Sequence, residues 1–332
     1  MDEIITLDYG SGGKKTARLI EKLIVPALSN PALDALGDGA IVEGAEKLAF
    51  STDSFVVDPI FFPGGDIGKL SVCGTVNDLA MCGAVPKYLS CSFIIEEGLP
   101  VEDLEKIVES IRCTAERAGV QVVTGDTKVV ERGRGDKIYI NTAGIGFVKY
   151  PGLSPKNLRD GDAVIVSGMV GDHGTAIMLA RSGMMQGKIA SDCAPLNGLC
   201  EAILGTGAEV RVLRDPTRGG VATTLNEFIE GTALGIELYE DRIPVRDQVR
   251  SACDMLGLDP LYCANEGKLL AAAAADDAER VLDAMRKTEE GRDAAIIGRV
   301  SAGYPGKLVM DTAFGGKRIL QKLTGAQLPR IC

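Results

Sequence analysis

Short apolar runs, separated by glycine, proline and charged residues, divide the first half of the chain into predicted strands and helices. The run 48–53 predicts a strand that ends in a polar loop. Asp66 is placed to cap a helix that reaches about residue 82. The spacing of 101–118 predicts an amphipathic helix that Gly119 ends. Further strands are predicted at 87–95, 120–123 and 138–148.

The second half repeats this rhythm after a proline- and glycine-containing linker at 150–155. The run 163–167 is apolar throughout, which is typical of a strand buried on both faces. Helices are predicted at 174–182, 196–207, 219–231 and 276–287, and strands at 269–275 and 294–300. The pattern predicts an α/β domain at 1–150, a second at 151–322 and a flexible tail at 323–332.

Composition and charge narrow the classes of function. The chain has 332 residues, 45% apolar and 25% charged, with a net charge of −10. This charge argues against nucleic-acid binding through a general basic surface, but not against a local anion site. No apolar run approaches the roughly 18 residues of a membrane helix, and the acidic N-terminus lacks a signal-peptide core. We expect a cytoplasmic protein that binds no nucleic acid and no membrane.

The nine cysteines do not resemble a disulfide framework, because their number is odd and no pair has CxxC spacing. Eight of them are expected to be small buried hydrophobes in a reducing compartment. The ninth, Cys332, is the last residue of the chain and lies in no predicted element. A thiol at the end of a chain is oxidisable and hard to bury, so its role has to be explained.

Several polar segments suggest a phosphate and metal site. Residues 8–15 combine three glycines, a serine and two lysines, so they are either an anion-binding loop or a flexible entry loop. Aspartates then recur at predicted element ends, and carboxylates are natural ligands of Mg²⁺. Each aspartate alone is equally well a cap or turn residue. The aspartates are Asp38, Asp53, Asp78 and Asp126.

The order of these segments resembles the PurM-like ATP-binding superfamily of aminoimidazole ribonucleotide synthetase, selenophosphate synthetase and thiamine-monophosphate kinase. Within it, the chain is most similar to the hydrogenase maturation HypE family. The segments that carry this resemblance are 9–13, 123–130, 171–174, 215–220, 264–268 and the terminal Pro-Arg-Ile-Cys at 329–332. The terminal segment is the most specific, because the other superfamily members do not need a terminal thiol.

The resemblance implies a two-domain α/β (α+β) fold with mixed sheets backed by helices, and a homodimer formed by the N-terminal domain. It implies that ATP and Mg²⁺ are bound. The residues expected to bind ATP are Ser11, Gly12, Gly13, Lys14, Asp38, Asp53, Asn77, Asp78, Gly125, Asp126 and Thr127. The expected metal ligands are Asp38, Asp53, Asp78, Asp126 and Asp215, some of them acting through water.

The family's activity explains the terminal thiol. The resemblance implies that a carbamoyltransferase, HypF, places a carbamoyl group on Cys332. This chain would then dehydrate the thiocarbamate to a thiocyanate with ATP, as a carbamoyl dehydratase, a lyase. The cyano group would pass to a HypC–HypD iron-scaffold complex and on to the iron of a [NiFe]-hydrogenase. Phosphoryl transfer from ATP would turn the carbamoyl oxygen into a leaving group.

Two N–H protons must also leave, so bases are expected near the nitrogen. The candidates are Lys128, Glu266 and His173. Glu266 is alternatively a turn acid, and a lone histidine in a glycine-rich loop is often structural, with its loop touching the tail or phosphate. Arg330 is expected either to ease the proximity of thiolate and terminal carboxylate or to be an ordinary solvated charge.

Two rival functions remain open from the sequence. The first is a small-molecule kinase or synthetase of the same superfamily, in which the aspartates would serve equally well. Its selenophosphate branch is disfavoured, because the N-terminal glycine-rich region has no cysteine before Cys73. The second is a dimeric docking protein whose tail tethers a partner. The aspartate series argues against it, because a scaffold has no use for such a set.

Overall fold

A computed structural model of the chain describes residues 3–10, 14–34, 39–183, 189–323 and 330–332. Its strands are β1 Leu48–Phe55, β2 Phe61–Phe62, β3 Gly65–Asp66, β4 Ala84–Glu96, β5 Gln121–Val130, β6 Ile138–Val148, β7 Ala163–Val166, β8 Val210–Arg214, β9 Gly235–Tyr239, β10 Leu270–Ala273, β11 Ala295–Ser301, β12 Leu308–Asp311 and β13 Lys317–Leu320. Its α-helices are α1 Lys14–Leu19, α2 Val25–Leu28, α3 Ile67–Met81, α4 Val101–Ala118, α5 Asp172–Ser182, α6 Asn197–Leu204, α7 Gly220–Ile229, α8 Asp247–Leu256 and α9 Ala278–Arg286.

Two mixed sheets form the frame of the described part of the chain. The first has the strand order β1-β6-β4-β5, in which only the β4–β5 pair is parallel. The second has the order β13-β12-β9-β11-β7-β10-β8, and its parallel pair is β12–β9. The prediction of an α/β fold with mixed sheets backed by helices is confirmed. Among the described helices, none is both long and apolar enough to cross a membrane.

The two faces of the first sheet differ in what covers them. The row Asp53–Thr142–Cys91–Gly125 lies on the inner face, where Cys91 and Thr142 are buried. The Thr142 hydroxyl donates to the carbonyl of Ser71 in α3 at 2.9 Å, so this face is packed on that helix. The adjacent row Ser54–Asn141–Ser92–Asp126 lies on the outer face, because neighbouring residues of a strand point to opposite sides.

Helix α3 joins the two halves. It begins at the cap that the sequence predicts: the Asp66 carboxylate accepts from the amides of Gly68 and Lys69 at 2.7 and 3.1 Å. The helix is apolar on nearly all sides, because the first sheet covers one side and the second domain another. At its C-terminal end, Ala80 and Met81 pack in a core cluster with residues of the second domain.

Strand β7 is buried on both faces, as its apolar run predicts. Val164 and Val166 pack in the cluster that contains residues of α7. Ile165 packs on the opposite side in the cluster that contains residues of α6 and α9. The second domain is therefore a sheet with a helical layer on each face of its central strands.

Three kinds of sequence expectation are wrong. Asp53 and the segment 124–127 lie inside β1 and β5 rather than at the ends of predicted strands, because both strands continue their pairing past these polar residues. Strands β8, β9, β12 and β13 and helix α8 were not predicted. Of the eight cysteines expected to be buried, Cys82 and Cys113 are exposed, the first at the C-cap of α3 and the second on the solvent side of α4.

Candidate active site

The last three residues of the chain lie against residues 56–58 and are hydrogen-bonded to them. The amide of Val56 donates to the terminal residue's carbonyl oxygen, that of Cys332, at 3.0 Å, and the amide of Asp58 donates to the carbonyl of Arg330 at 3.3 Å. The Nε2 of His173 is 2.7 Å from the carbonyl oxygen of Ile331. Each carbonyl of the docked segment 330–332 therefore has a partner in the body of the protein.

Side chains fix the same segment. Ile331 is only 2% exposed and joins the first core cluster. Arg330 donates from Nε to the Val56 carbonyl at 3.1 Å and forms an ion pair with Asp136. Arg181 donates to the carbonyl of Arg330 at 2.7 Å. The resting place of the terminus is thus a groove in the protein, while residues 324–329 of the predicted flexible tail lie outside the described residues.

The thiol of Cys332 is set beside a cation that the sequence analysis did not assign. The Nη2 of Arg218 lies 3.6 Å from Sγ. Burial and the charge of Glu266 raise the pKa of the thiol to about 11, and Arg218 opposes this rise. The expectation that Arg330 would ease the thiolate is wrong, because its guanidinium is bound to Asp136 and the Val56 carbonyl; Arg218 occupies that position instead.

Glu266 is a buried carboxyl whose charge helps to raise the pKa of this thiol. Its residue is 2% exposed, and Oε1 has no hydrogen-bond partner within the described residues. Its backbone is fixed because the Asp192 carboxylate accepts from the amides of Glu266 and Gly267 at 3.1 and 3.3 Å. Burial, and then the neighbouring Cys193 and Asp215, raise the pKa of Glu266 well above its usual range. A carboxyl with a raised pKa suits proton transfer near neutral pH.

Asn265 ties the loops around the site together. Its Oδ1 accepts from the Gly171 amide at 2.8 Å, and its Nδ2 donates to the carbonyls of Pro216 and Cys263 at 3.1 Å each. Gly220, at the start of α7, packs so closely that a Cβ there would lie 2.5 Å from the Cys263 carbonyl oxygen. This packing sets the loop that carries Arg218 directly against the loop that carries Glu266.

Three of the predicted metal ligands come together on the inner face. Burial and the charge of Asp78 raise the pKa of Asp53. Burial and the charges of Asp78 and Asp53 raise the pKa of Asp215 to about 7. The Ser51 hydroxyl donates to Asp78 at 2.6 Å. Repulsion within such a set is relieved by a bound cation, and hard carboxylate oxygens fit Mg²⁺. No group of three His, Cys, Asp or Glu side chains among the described residues is already arranged around a metal position.

Asp126 and Lys128 are not part of that group within one chain. They lie on the outer face, where Nζ of Lys128 is 2.7 Å from the Asp126 carboxylate and both side chains are more than half exposed. The hydrogen bond from Lys128 lowers the pKa of Asp126. Gly125 and Thr127 lie in the same strand on the inner side, and Thr127 is buried.

His173 and Asn77 are engaged in structural contacts. His173 is fully buried, and burial lowers its pKa, so the neutral ring donates from Nε2 to the Ile331 carbonyl. Its Nδ1 then accepts from the Ser191 hydroxyl at 2.8 Å. Asn77 accepts from the amide of Leu196 at 2.7 Å and donates to the carbonyl of Ala194 at 3.2 Å. The predicted roles of His173 in catalysis and of Asn77 in ATP binding stay predictions.

Four of the predicted ATP-binding residues lie outside the described residues: Ser11, Gly12, Gly13 and Asp38. Lys14 is described, at the exposed start of α1. The functional residues that sequence reasoning missed are Arg218, Arg181, Asp136 and Asp192. Arg218 stands within the segment 215–220, whose family resemblance was the one available signal. The other three act through long-range contacts that no local pattern reveals.

Comparison with known proteins identifies the family of this chain. The family model "AIR synthase related protein, N-terminal domain" matches residues 36–148, and the corresponding C-terminal domain model matches 159–311. The carbamoyl dehydratase HypE of Azotobacter vinelandii is 51% identical, covering 99% of this chain and 97% of the relative.

Solved structures give the same result. A crystal structure of the hydrogenase maturation protein HypE in complex with ATP is 49% identical, with a TM-score of 0.95 over 98% of this chain and 99% of that one. The chain in a HypE–HypF complex, also 49% identical, has a TM-score of 0.79 over 91% of this chain and 99% of that one. This chain therefore belongs to the HypE family of carbamoyl dehydratases, enzymes of hydrogenase maturation within the AIR synthase-related superfamily.

Proposed function

We propose that this carbamoyl dehydratase uses its own C-terminus as the substrate: it converts an S-carbamoyl group on Cys332 to a thiocyanate at the expense of ATP. The observation that carries the proposal is the position of the thiol. Cys332 is seated beside Arg218 and is coupled electrostatically to Glu266 and Asp53. A terminal thiol without a chemical role would have no reason to lie among groups of this kind.

The reaction is R–S–C(=O)–NH₂ + ATP⁴⁻ → R–S–C≡N + ADP³⁻ + HPO₄²⁻ + H⁺. The carbamoyl oxygen attacks the γ-phosphorus of ATP, the bond from that phosphorus to the ADP oxygen breaks, and the oxygen then leaves carbon as phosphate. Both N–H protons leave as the C≡N bond forms. Such a phosphoryl transfer depends on positioning and charge neutralisation rather than on covalent help from the protein.

The chain's residues supply those two requirements. The guanidinium of Arg218, which reaches the thiol and interacts with Asp53, is placed to hold negative charge on the carbamoyl oxygen and the transferred phosphoryl group. Glu266, with its raised pKa and its unpartnered Oε1, is placed to accept a proton from nitrogen when deprotonated. His173 contributes by holding the Ile331 carbonyl, which fixes the reacting group next to these side chains.

ATP binding is proposed for this chain because a relative of such close structure is solved with ATP. The inner carboxylates Asp53, Asp78 and Asp215 would hold Mg²⁺, together with Asp38. The metal would supply neutralisation of the phosphate charge. Without it, the acidic side chains would repel the triphosphate.

The partners follow from the relatives. HypF is proposed as the carbamoyltransferase, since a HypE is solved in complex with it. The HypC–HypD complex is proposed as the acceptor of the cyano group. All nine cysteines are free thiols in the structure. That state suits the cytoplasm, where we propose that the exchange takes place.

We also propose a homodimer through the outer face of the first sheet. This face presents Phe50, 71% exposed, on the edge strand β1, and Ile94, 46% exposed, which pairs with Lys128 of β5. Strands lie about 4.8 Å apart, so Asp126 on β5 is roughly 14 Å across the sheet from Asp53 on β1, and on the other face. If Asp126 and Lys128 act at an active site, they therefore act at that of a second copy.

Intact-protein mass spectrometry tests the proposal. The purified chain is mixed with HypF, carbamoyl phosphate and ATP, and the modified peptide is mapped over time. A gain of about 43 Da on Cys332, falling to about 25 Da only with Mg-ATP, is the expected result. The same ATP consumption by a chain that lacks residues 330–332 would contradict it and would favour a small-molecule kinase.

A further inference from the structure

The contacts around residues 330–332 form a complete recognition site for a C-terminal peptide. The body of the protein offers two backbone amides, those of Val56 and Asp58, to carbonyl oxygens of the segment. In peptide recognition, backbone hydrogen bonds of this kind give affinity, and side-chain subsites give specificity.

Each side chain of the segment has its own subsite. Asp136, in the loop between β5 and β6, pairs with the Arg330 guanidinium. Ile331 is buried in the core, so its subsite accepts an apolar side chain and would exclude a charged one. At the thiol subsite, Nη2 of Arg218 lies 3.6 Å from the Cys332 Sγ.

Two donors, the half-buried Arg181 and the buried His173, fix the peptide's direction. Arg181 binds the carbonyls of Asp58 and Arg330 together, at 2.6 and 2.7 Å from Nη2, so it joins the groove wall to the peptide. His173 is aligned by the Ser191 hydroxyl, which in turn accepts from the Cys193 amide at 3.0 Å. A peptide of reversed direction would leave these donors unpaired.

We propose that this groove is a C-terminal peptide-binding site and that the enzyme dehydrates an S-carbamoyl cysteine in trans, on a separate chain that ends in Arg-Ile-Cys. The inference rests on the function proposed above and uses the same balanced reaction, with ATP as co-substrate. The reason is that every contact named here is noncovalent and made by residues distant in sequence from the tail. The covalent link between tail and body raises the local concentration of the tail at the groove, but no described contact in the groove requires that link.

The test uses a chain lacking residues 330–332 as the receptor and a synthetic decapeptide with the sequence of 323–332, carbamoylated on its cysteine. Mass spectrometry then follows the loss of about one water, ~18 Da, from the peptide in the presence of Mg-ATP. The expected result is ATP-dependent conversion of this peptide and none of a peptide whose last three residues are reversed. Equal conversion of the two peptides, or conversion of neither, overturns the inference.

Binding of the unmodified, fluorescently labelled decapeptide gives a readout independent of turnover. Replacing the peptide's isoleucine by alanine is expected to raise Kd at least about tenfold, because a buried side chain is lost. Replacing its arginine by glutamate is expected to raise Kd about threefold or more, since that ion pair is partly exposed. Asp136→Lys in the receptor should restore binding of the glutamate peptide and weaken that of the natural one.

The donor role of His173 is checked by substitution. His173→Gln keeps an N–H donor near the position of Nε2, and His173→Leu does not. We expect peptide binding to survive better in the glutamine variant, whereas a purely space-filling role would make the two variants equal.

Two controls keep the outcomes separate. The full chain, carbamoylated on Cys332 and given Mg-ATP, reports the proposed function in cis. Conversion in cis without conversion in trans overturns only this inference, whereas failure of both overturns the proposed function as well. If the shortened chain does not fold, the full chain with Arg330→Glu and Cys332→Ser serves as the receptor, because its own tail is weakened as a competitor.

Discussion

The inner and outer faces of the first sheet carry acidic side chains in adjacent rows, yet their chemistry differs. On the inner face, Asp53 is crowded against Asp78, and burial raises its pKa. On the outer face, Asp126 is paired with Lys128, and its pKa is lowered. The difference shows that position relative to the sheet, rather than the presence of an aspartate, decides whether the pKa of a carboxyl is raised or lowered.

The largest effect is expected at the buried carboxyl beside the thiol. Glu266→Gln should reduce dehydration by about 10²–10⁴-fold, the range of a lost general base, while leaving carbamoylation of Cys332 intact. Single-turnover mass spectrometry of the carbamoylated chain measures this. Glu105→Gln, on the exposed side of α4, is the matched control. Unchanged turnover of the Glu266 variant would remove this residue from the mechanism.

Mixing two inactive variants tests whether aspartates from the two faces act in one active site. Asp53→Asn and Asp126→Asn should each abolish most activity as homodimers. If the two carboxylates of one active site come from different copies, a mixed dimer carries one intact site. Random exchange of equal amounts then restores about a quarter of the wild-type activity. No recovery in an exchanged mixture would mean that the outer pair does not complete the partner's site.

The docked thiol should give a pH-dependent release of the tail. Its pKa is about 11 in the groove, against an ordinary value of 9.0. Because the groove favours the neutral thiol, docking is fully stable below pH about 9 and weakens about tenfold per pH unit up to about 11. Alkylation of Cys332, mapped by mass spectrometry, should therefore have a midpoint near 11.

The Arg330→Glu variant, whose tail loses its pairing with Asp136, provides the comparison for this measurement. Its alkylation midpoint should fall towards 9.0. Identical midpoints for the two proteins would show that docking does not control the thiol.

The smallest effect concerns stability. Asn77 on the inner side and Asn141 on the outer face each make several hydrogen bonds, but Asn77 is 1% exposed. Asn77→Ala should lower the free energy of unfolding by about 1–3 kcal/mol, because buried groups lose their partners. Asn141→Ala should change it by less than about 0.5 kcal/mol. Urea denaturation measures both, and equal losses would argue against the assignment of inner and outer faces.

Local chemistry made part of this structure predictable. The Asp66 cap and the left-handed Gly119 at the end of α4 depend on a few neighbouring residues, and both occur as predicted. The separation of Asp53 from Asp126 depends on strand pairing over some 70 residues and on a bulge between Leu89 and Ser90. No periodicity in either segment contains that information.

The candidate site, too, could be predicted from the sequence only in part. Residue type predicted Glu266 and Cys332 as catalytic candidates, and in the structure the charge of Glu266 contributes to the raised pKa of the Cys332 thiol. The place of Arg218 beside the thiol depends on how the terminus folds back onto residues 56–58, which are more than 270 residues away. His173 was predicted as a candidate base from its residue type. Its burial and its hydrogen bond to the Ile331 carbonyl are consequences of packing.

The proposed mechanism requires that the carbamoyl oxygen is phosphorylated while Cys332 lies in its groove. Isotope tracing tests it most directly: the chain is carbamoylated with ¹⁸O in the carbonyl position, given Mg-ATP, and the released inorganic phosphate is analysed by mass spectrometry. Phosphorylation of the carbamoyl oxygen predicts one ¹⁸O atom in each phosphate released with the thiocyanate. Recovery of the label in water, with unlabelled phosphate, would show that the oxygen leaves without passing to phosphorus and would contradict the mechanism.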